Sequence, residues 1–221
     1  MRASLIGRFL LTAIVCLAIL LPLWYKAVAW FAMPPIWLAG RIMKAAFPWV
    51  KGFGQENSVA VLHTNVQMRI LRGGYDTLVE LTSRIDYSMY GYGVVLLWAM
   101  LLASRPRYWP LKALLGTVLL IPVQAWGLCF QWMKNILLDS GPNAAAYLDF
   151  PAWGLNAVVY GYQFGVLMLT PVAPILLWLW FDKRFVAALW LEAALEGKPE
   201  QKRKTATTMA VPPPPDGSGG A

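Results

Sequence analysis

The stretch Ala113–Met133, ALLGTVLLIPVQAWGLCFQWM, decides the fold. It is apolar and long enough to cross a hydrocarbon core of about 30 Å as a helix, which needs roughly 20 residues. We therefore interpret it as a membrane span. Gln124 and Gln131 lie within it two helical turns apart, so both amides share one face. Amides at this depth usually bond another helix, contributing about 0.6 to 2 kcal/mol each, which predicts a packing or partner face.

The composition also indicates a membrane protein. Of the 221 residues, 58% are hydrophobic, and the apolar runs are nearly continuous. The 12 tryptophans suit the membrane interface. The net charge of +8 comes from basic clusters between apolar runs and not from one basic surface. We therefore expect membrane lipids as partners and no nucleic acid.

Residues able to do covalent or metal chemistry are few. Cys16 and Cys129 lie inside apolar runs, where a thiol stays protonated and inert, and His63 is the only histidine. No cysteine or histidine pair has the spacing of metal ligands. The sequence predicts no metal, no cofactor and no catalytic residue.

Four apolar segments predict an all-α bundle of about four transmembrane helices within an integral membrane domain over residues 1–196. The spans are predicted at about 9–31, 87–103, 113–133 and 155–181. A signal peptide cleaved at Ala27-Val28-Ala29 is the alternative for the first segment. The bulky and charged run from Leu23 to Lys26 in front of that site favours an uncleaved span.

The predicted exported segment, residues 33–86, begins with PPIWLAGRIMKAAFPWVK. Its apolar residues recur at i, i+3, i+4 and i+7, while Arg41, Lys44 and Lys51 share the opposite face. A span here would place Arg41 and Lys44 in lipid at about 2.5 to 3.5 kcal/mol each. The pattern instead predicts an amphipathic helix lying along the membrane interface.

A small β-hairpin is predicted from Ser58 to Asp86, where the hydrophobic period changes to two. Gly73-Gly74 is typical of a two-residue hairpin turn. Pairing outward from it separates a largely apolar face from a largely polar one. The apolar face pairs Ile70 with Thr77, Met68 with Val79 and Val66 with Leu81; the other pairs Arg69 with Leu78, Gln67 with Glu80, Asn65 with Thr82 and His63 with Arg84. Because a lone hairpin is marginal in water, we expect it to rest on the amphipathic helix.

The last span and the C-terminal region give four further expectations. Pro171 and Pro174 predict kinks, and Gln163 is expected to hydrogen-bond Gln124 or Gln131. Residues 104–110 and 139–154 read as connections, and a short surface helix is predicted over 185–195. Residues 197–221 are too polar and proline-rich to fold and are predicted to form a disordered cytoplasmic tail.

Counting basic residues predicts the orientation. With four spans and both termini in the cytoplasm, eleven basic residues lie inside and seven outside, which obeys the positive-inside rule. The inside set is Arg2, Arg8, Arg105, Arg107, Lys112, Lys183, Arg184, Lys198, Lys202, Arg203 and Lys204; the outside set is Arg41, Lys44, Lys51, Arg69, Arg72, Arg84 and Lys134. The hairpin is then on the exported side.

Three motifs together resemble a known family: YGYG at residues 90–93, PVQAWG at 122–127, and YQFG at 162–165 followed by PVAPILLW at 171–178. They are similar to those of the exosortase H-associated membrane proteins of Gram-negative bacteria, and the likeness runs from the first span to about Val186. The resemblance implies a small multi-span inner-membrane protein that accompanies an exosortase, the membrane cysteine transpeptidase of a protein-sorting system. It carries over no catalytic residues.

Three functions are compatible with these features. The first is a non-catalytic accessory protein that binds an exosortase or its sorted substrate. One alternative is a transporter or a conjugation or secretion subunit, which the lack of charged residues deep in the spans disfavours. The other is a membrane peptidase, which is disfavoured because Cys129 has no base in its span. The candidate partner or packing face comprises Tyr90, Tyr92, Gln124, Trp126, Gln131, Tyr162 and Gln163.

Overall fold

The computed structural model describes residues 5–72, 75–140, 144 and 148–192. Its elements are α1 (Leu5–Ala46), β1 (Val50–Glu56), β2 (Val59–Arg72), β3 (Tyr75–Asp86), α2 (Ser88–Ser104), α3 (Trp109–Asp139), α4 (Ala152–Phe181) and α5 (183–192). The last turn of α3, Asn135–Asp139, is π-helical, and so is Phe164–Leu169 within α4. The protein is thus mostly helical and carries one small antiparallel sheet.

Three of the described helices are long and apolar enough to cross a membrane: Ile6–Ala46, Trp109–Asp139 and Ala152–Phe181. They contain three of the four predicted spans. The remaining predicted span corresponds to α2, which is apolar but has only 17 residues.

The separate interfacial helix predicted after the first span is wrong, because α1 continues through Pro34-Pro35 to Ala46. A proline inside a helix costs about 3 kcal/mol or more. Here one buried stripe runs along α1 on both sides of the proline pair, so packing offsets that cost. The stripe consists of Trp24, Val28, Ala32, Ile36, Ala39 and Met43, none more than 7% exposed. The pattern located the apolar face correctly, but this face packs inside the protein.

The predicted hairpin is present as β2 and β3, and it belongs to a three-stranded sheet of order β1-β2-β3. The sequence did not indicate β1, whose Gly52 and Gly54 are poor strand formers. Asn57, at φ 58°, occupies the turn between β1 and β2, a conformation that asparagine tolerates better than most residues. The turn residues Gly73-Gly74 lie outside the described part of the chain.

The predicted register holds only near the turn. The pairs Ile70–Thr77, Arg69–Leu78, Met68–Val79 and Gln67–Glu80 are confirmed. A bulge between His63 and Gln67 then shifts β2, so that His63 pairs with Thr82 and Val61 with Arg84. The predicted pairs Asn65–Thr82 and His63–Arg84 are therefore wrong, and the Val66–Leu81 pair falls in the bulge. Thr64 stabilises the bulge by donating its hydroxyl to the Leu81 carbonyl at 2.8 Å.

The sheet folds back along the second half of α1. Phe53 of β1 lies over Gly40, and the Gln55 side-chain amide donates to the Ala29 carbonyl at 2.7 Å. The Tyr87 amide, just before α2, bonds the Ser58 carbonyl in the β1–β2 turn at 2.9 Å. The turn, the start of α2 and the middle of α1 therefore lie at one level, which we call the sheet end.

The opposite end of the helices, called the far end, contains the start of α1 and the ends of α2 and α4. Phe9 stacks on Trp178 with ring centroids 5.1 Å apart. The Trp178 indole donates to the Ser104 hydroxyl at 3.2 Å, and the Lys112 ammonium donates to the Phe181 carbonyl at 2.6 Å. The helices α1 to α4 thus connect the same two ends.

The fourth predicted span contains a helix defect next to its prolines. The π-helical segment Phe164–Leu169 ends two residues before Pro171, and a proline ring crowds the carbonyl four residues before it. The Thr170 hydroxyl bonds the Gly165 carbonyl at 2.8 Å. A helix is present over 183–192 where 185–195 was predicted, and the predicted tail at 197–221 lies outside the described residues.

The α1 stripe predicts the effect of adding volume to it. We expect Ala32→Leu, at a fully buried position, to destabilise the fold by about 1 to 3 kcal/mol through overpacking. The protein, in a Cys16→Ala background, is heated with a fluorogenic maleimide, which reacts with the buried Cys129 once the fold opens. The temperature of half-maximal fluorescence gives the melting midpoint. This midpoint should fall by about 3 to 8 °C. Ala45→Leu, at an exposed position, is the control and should leave it unchanged; equal midpoints for both variants would contradict a packed stripe.

Candidate functional site

Two tyrosine–glutamine hydrogen bonds join α2 to α3. The Tyr87 hydroxyl donates to Gln124 Oε1 at 2.9 Å, and the Tyr90 hydroxyl donates to Gln131 Oε1 at 3.0 Å. Both tyrosines and Gln124 are almost completely buried. Because Gln124 and Gln131 lie on one face of α3, they meet two tyrosines one turn apart on the neighbouring chain segment. Each glutamine therefore accepts a hydrogen bond from a tyrosine on the segment that leads into α2.

The second bond continues as a chain of side chains into the sheet. Gln131 Nε2 donates to Asn135 Oδ1 at 2.8 Å, and Asn135 Nδ2 donates to the Ser83 hydroxyl on β3 at 3.0 Å. We call Ser83, Tyr87, Tyr90, Gln124, Gln131 and Asn135 the junction network. It ties the strand that leads into α2 to the end of α3, and so fixes the sheet to the helices.

The three sequence motifs meet at Gly127. A Cβ at Gly127 would collide with the ring of Tyr90, so only glycine accommodates that ring. On the other side, a Cβ at Gly165 would come within 3.4 Å of the Gly127 Cα and within 3.2 Å of Trp126. Glycines therefore bring α2, α3 and α4 close together at one level, as small residues do in membrane bundles.

The other predicted site residues lie nearer the surface. The Trp126 indole donates to the Gly161 carbonyl at 3.2 Å and its ring packs on Phe130. The ring of Tyr162 lies under the Lys134 ammonium at 5.3 Å. Tyr92 is half-buried on α2.

The expected hydrogen bond from Gln163 is not formed. Gln163 is exposed, and the carbonyl oxygens of Gln124 and Gln131 accept from Tyr87 and Tyr90 instead. The π-helical segment begins at Phe164 and alters the direction in which side chains on this part of α4 project.

A family model described as exosortase H-associated membrane protein matches residues 3–185. The chain belongs to this family. This membership confirms the resemblance drawn from the three motifs. The family description indicates a membrane protein associated with exosortase H. Neither the curated proteins nor the solved structures include a match to it.

Three members of the junction network in this exosortase H-associated protein were not singled out from its sequence: Ser83, Tyr87 and Asn135. Asn135 could have been found, because it follows Gln131 by one helical turn and so extends the same face. Ser83 and Tyr87 carry no such signal, since only the fold of the sheet onto the helices brings them to α3.

The network offers positioning rather than reactive chemistry. Its members are hydroxyls and amides without a base. Cys129 is buried nearby with its sulfur 3.6 Å from the Ala39 carbonyl, while His63 is exposed on β2. Within the described ranges, no three histidine, cysteine or acidic side chains are grouped so as to hold a metal ion.

A double-mutant cycle tests the Tyr90–Gln131 bond. We expect the effects of Tyr90→Phe and Gln131→Leu on the free energy of unfolding to be coupled by about 0.6 to 1.7 kcal/mol. This is the range for such hydrogen bonds between membrane helices. Unfolding free energies from denaturant titration in detergent micelles provide the measurement. The matched cycle of Tyr92→Phe with Gln131→Leu should show no coupling, because Tyr92 does not bond Gln131. Equal couplings in the two cycles would contradict the assigned bond.

Proposed function

We propose that this protein is a non-catalytic accessory protein of an exosortase-type sorting system, which acts in the bacterial inner membrane by binding the enzyme or its substrate. The observation that carries the proposal is the family match over residues 3–185, since the family is described as associated with exosortase H. The burial of Cys129 in the bundle supports a non-catalytic role, because a nucleophile must be reachable by its substrate.

The way the sheet is mounted supports a binding role. The second half of α1 packs along the sheet, and the junction network anchors β3 to α3. The sheet surface carries charged pairs, Lys51 with Glu80 at 3.3 Å and Arg84 with Glu56. Such a fixed polar platform suits recognition of another chain beside the membrane.

We further propose four spans with both termini in the cytoplasm and the sheet exported. Although α2 is short, its 17 residues extend about 26 Å, close to the thickness of the hydrocarbon core. It joins the sheet end to the far end alongside three longer helices. If those helices cross the membrane, α2 crosses it as well. Arg8, Arg105, Arg107 and Lys112 at the far end favour a cytoplasmic location for that end.

The exposed part of the predicted site is the surface we propose for the partner. Trp126 and Gln163 face outward on neighbouring helices, beside the exposed Tyr160. An amide turned toward lipid is unfavourable unless another group bonds it. A helix of the exosortase packed here would satisfy Gln163, whereas Tyr90, Gln124 and Gln131 serve the protein's own bundle.

Cysteine labelling tests the orientation. In a Cys16→Ala background, we expect Asn65→Cys on the sheet to react with a membrane-impermeant maleimide in intact spheroplasts. Lys183→Cys at the far end should react only after permeabilisation, because the bilayer separates the two positions. Labelling of both positions in intact cells, or of Lys183→Cys alone, would contradict the proposed architecture.

Co-purification with a co-expressed exosortase tests the role and the surface. We expect the two proteins to elute together in mild detergent, and Gln163→Trp to reduce recovery about tenfold, as a loss of about 1.4 kcal/mol does. Ile14→Trp, at another lipid-facing position, should leave recovery unchanged. A chain that elutes alone in the presence of the exosortase would contradict the accessory role, whereas an unaffected Gln163→Trp would contradict only the surface.

A further inference from the structure

A basic cavity lies at the far end, between the α2–α3 connection and the end of α4. Its volume is about 410 Å³, and it is lined by residues from two segments far apart in the chain, 106–112 and 180–184. The bond from Lys112 to the Phe181 carbonyl at 2.6 Å joins these two segments. The site is therefore formed by the tertiary fold and not by one flexible loop.

Four cations converge on this cavity with one carboxylate among them. Arg107, Lys112, Lys183 and Arg184 line it together with Asp182, which gives a net charge of +3. None of the ion pairs described for the chain involves these four cations. Asp182 is buried and caps α5, accepting the Phe185 amide at 3.4 Å on Oδ1. Within the part of the chain that the structure describes, Asp182 is the acidic residue that lines the cavity beside these cations.

The backbone of the α2–α3 connection holds two of the lining side chains in place. Tyr108 has a φ of 61°, an uncommon conformation for a residue other than glycine. Bonds from the Trp109 amide to Pro106 and from the Lys112 amide to Tyr108, both 3.1 Å, fix this turn. Arg107 lies over the Tyr108 ring at 5.0 Å, so its guanidinium is held at the cavity rim.

The residues around the cavity are typical of the level where the hydrocarbon core of a bilayer meets the headgroups. The cavity is at the helix ends marked by Ser104, Trp109 and Phe181, and the exposed rings of Tyr108, Trp109 and Trp180 surround it. Tyrosine and tryptophan favour this depth. Below them, the exposed leucines Leu111 and Leu114 offer an apolar surface for acyl chains. In a bilayer, lipid phosphates lie close to the depth that such aromatic rings favour.

We propose that this cavity binds the phosphodiester headgroup of an anionic phospholipid. Arginine and lysine side chains bind phosphate oxygens by charge-assisted hydrogen bonds, and basic pockets between helices suit such headgroups. A bound lipid connects the α2–α3 connection to the end of α4. This inference is independent of the exosortase partner.

Lipid binding to the delipidated full-length protein in detergent tests this inference. Native mass spectrometry with phosphatidylglycerol, cardiolipin and phosphatidylcholine gives the affinity for each lipid. We expect at least tenfold tighter binding of the two anionic lipids than of phosphatidylcholine. Equal binding of all three would overturn the proposal. Inorganic phosphate that binds as tightly as the lipids would also overturn it, because the cavity would then be a site for a soluble anion.

Variants localise the binding. Arg107→Gln combined with Lys183→Gln should reduce the affinity for phosphatidylglycerol about tenfold. Arg41→Gln combined with Lys44→Gln removes the same charge near the C-terminal end of α1, including a cation that lies over an aromatic ring. This double variant should change the affinity for phosphatidylglycerol less than twofold. Equal losses in the two double variants would overturn the assignment to the cavity. If the first variant does not fold, the exposed Arg184→Gln alone replaces it, with an expected loss of about threefold; an unchanged affinity would overturn the proposal.

Discussion

The uninterrupted packing of α1 is the constraint on which the rest of the structure depends. One stripe from Trp24 to Met43 remains buried across a proline pair, so a single helix both enters the membrane and supports the sheet. The apolar first part of α1 is not buried inside the protein, whereas the second part forms a core with the sheet and α3. The continuity of α1 therefore adds a packed core to the hydrogen bonds that tie the sheet to α3.

The junction network determines which faces of α2 and α3 pack against each other. Apolar contacts in a membrane discriminate weakly between neighbouring arrangements, because lipid tails are as apolar as leucine. A tyrosine hydroxyl bonded to a glutamine amide specifies which turn of α2 faces which turn of α3. The glycine at 127 lets the Tyr90 ring reach that position, so the small residue and the polar pair act together.

The two ends of the helices are stabilised by different kinds of interaction. The sheet end relies on neutral side-chain hydrogen bonds and on packing against a folded ribbon. The far end has aromatic stacking around Trp178, a lysine bonded to a helix carbonyl and a cavity with excess positive charge. The two ends of the bundle are therefore stabilised by different interactions.

The sequence by itself determined the membrane class, the apolar helical segments, the hairpin near its turn and the family, because these follow from local composition, period and motif order. It also placed Gln124 and Gln131 on a bundle-facing side of α3, since helical geometry alone decides which residues share a face. Tertiary structure decided the rest. Whether Pro34-Pro35 ends a helix depends on what buries the residues around it, and the shift at His63 depends on a bulge that no local pattern marks. The partners of the two glutamines, Tyr87 and Tyr90, were likewise chosen by long-range packing, because hydrogen bonding between helices is decided by which faces meet.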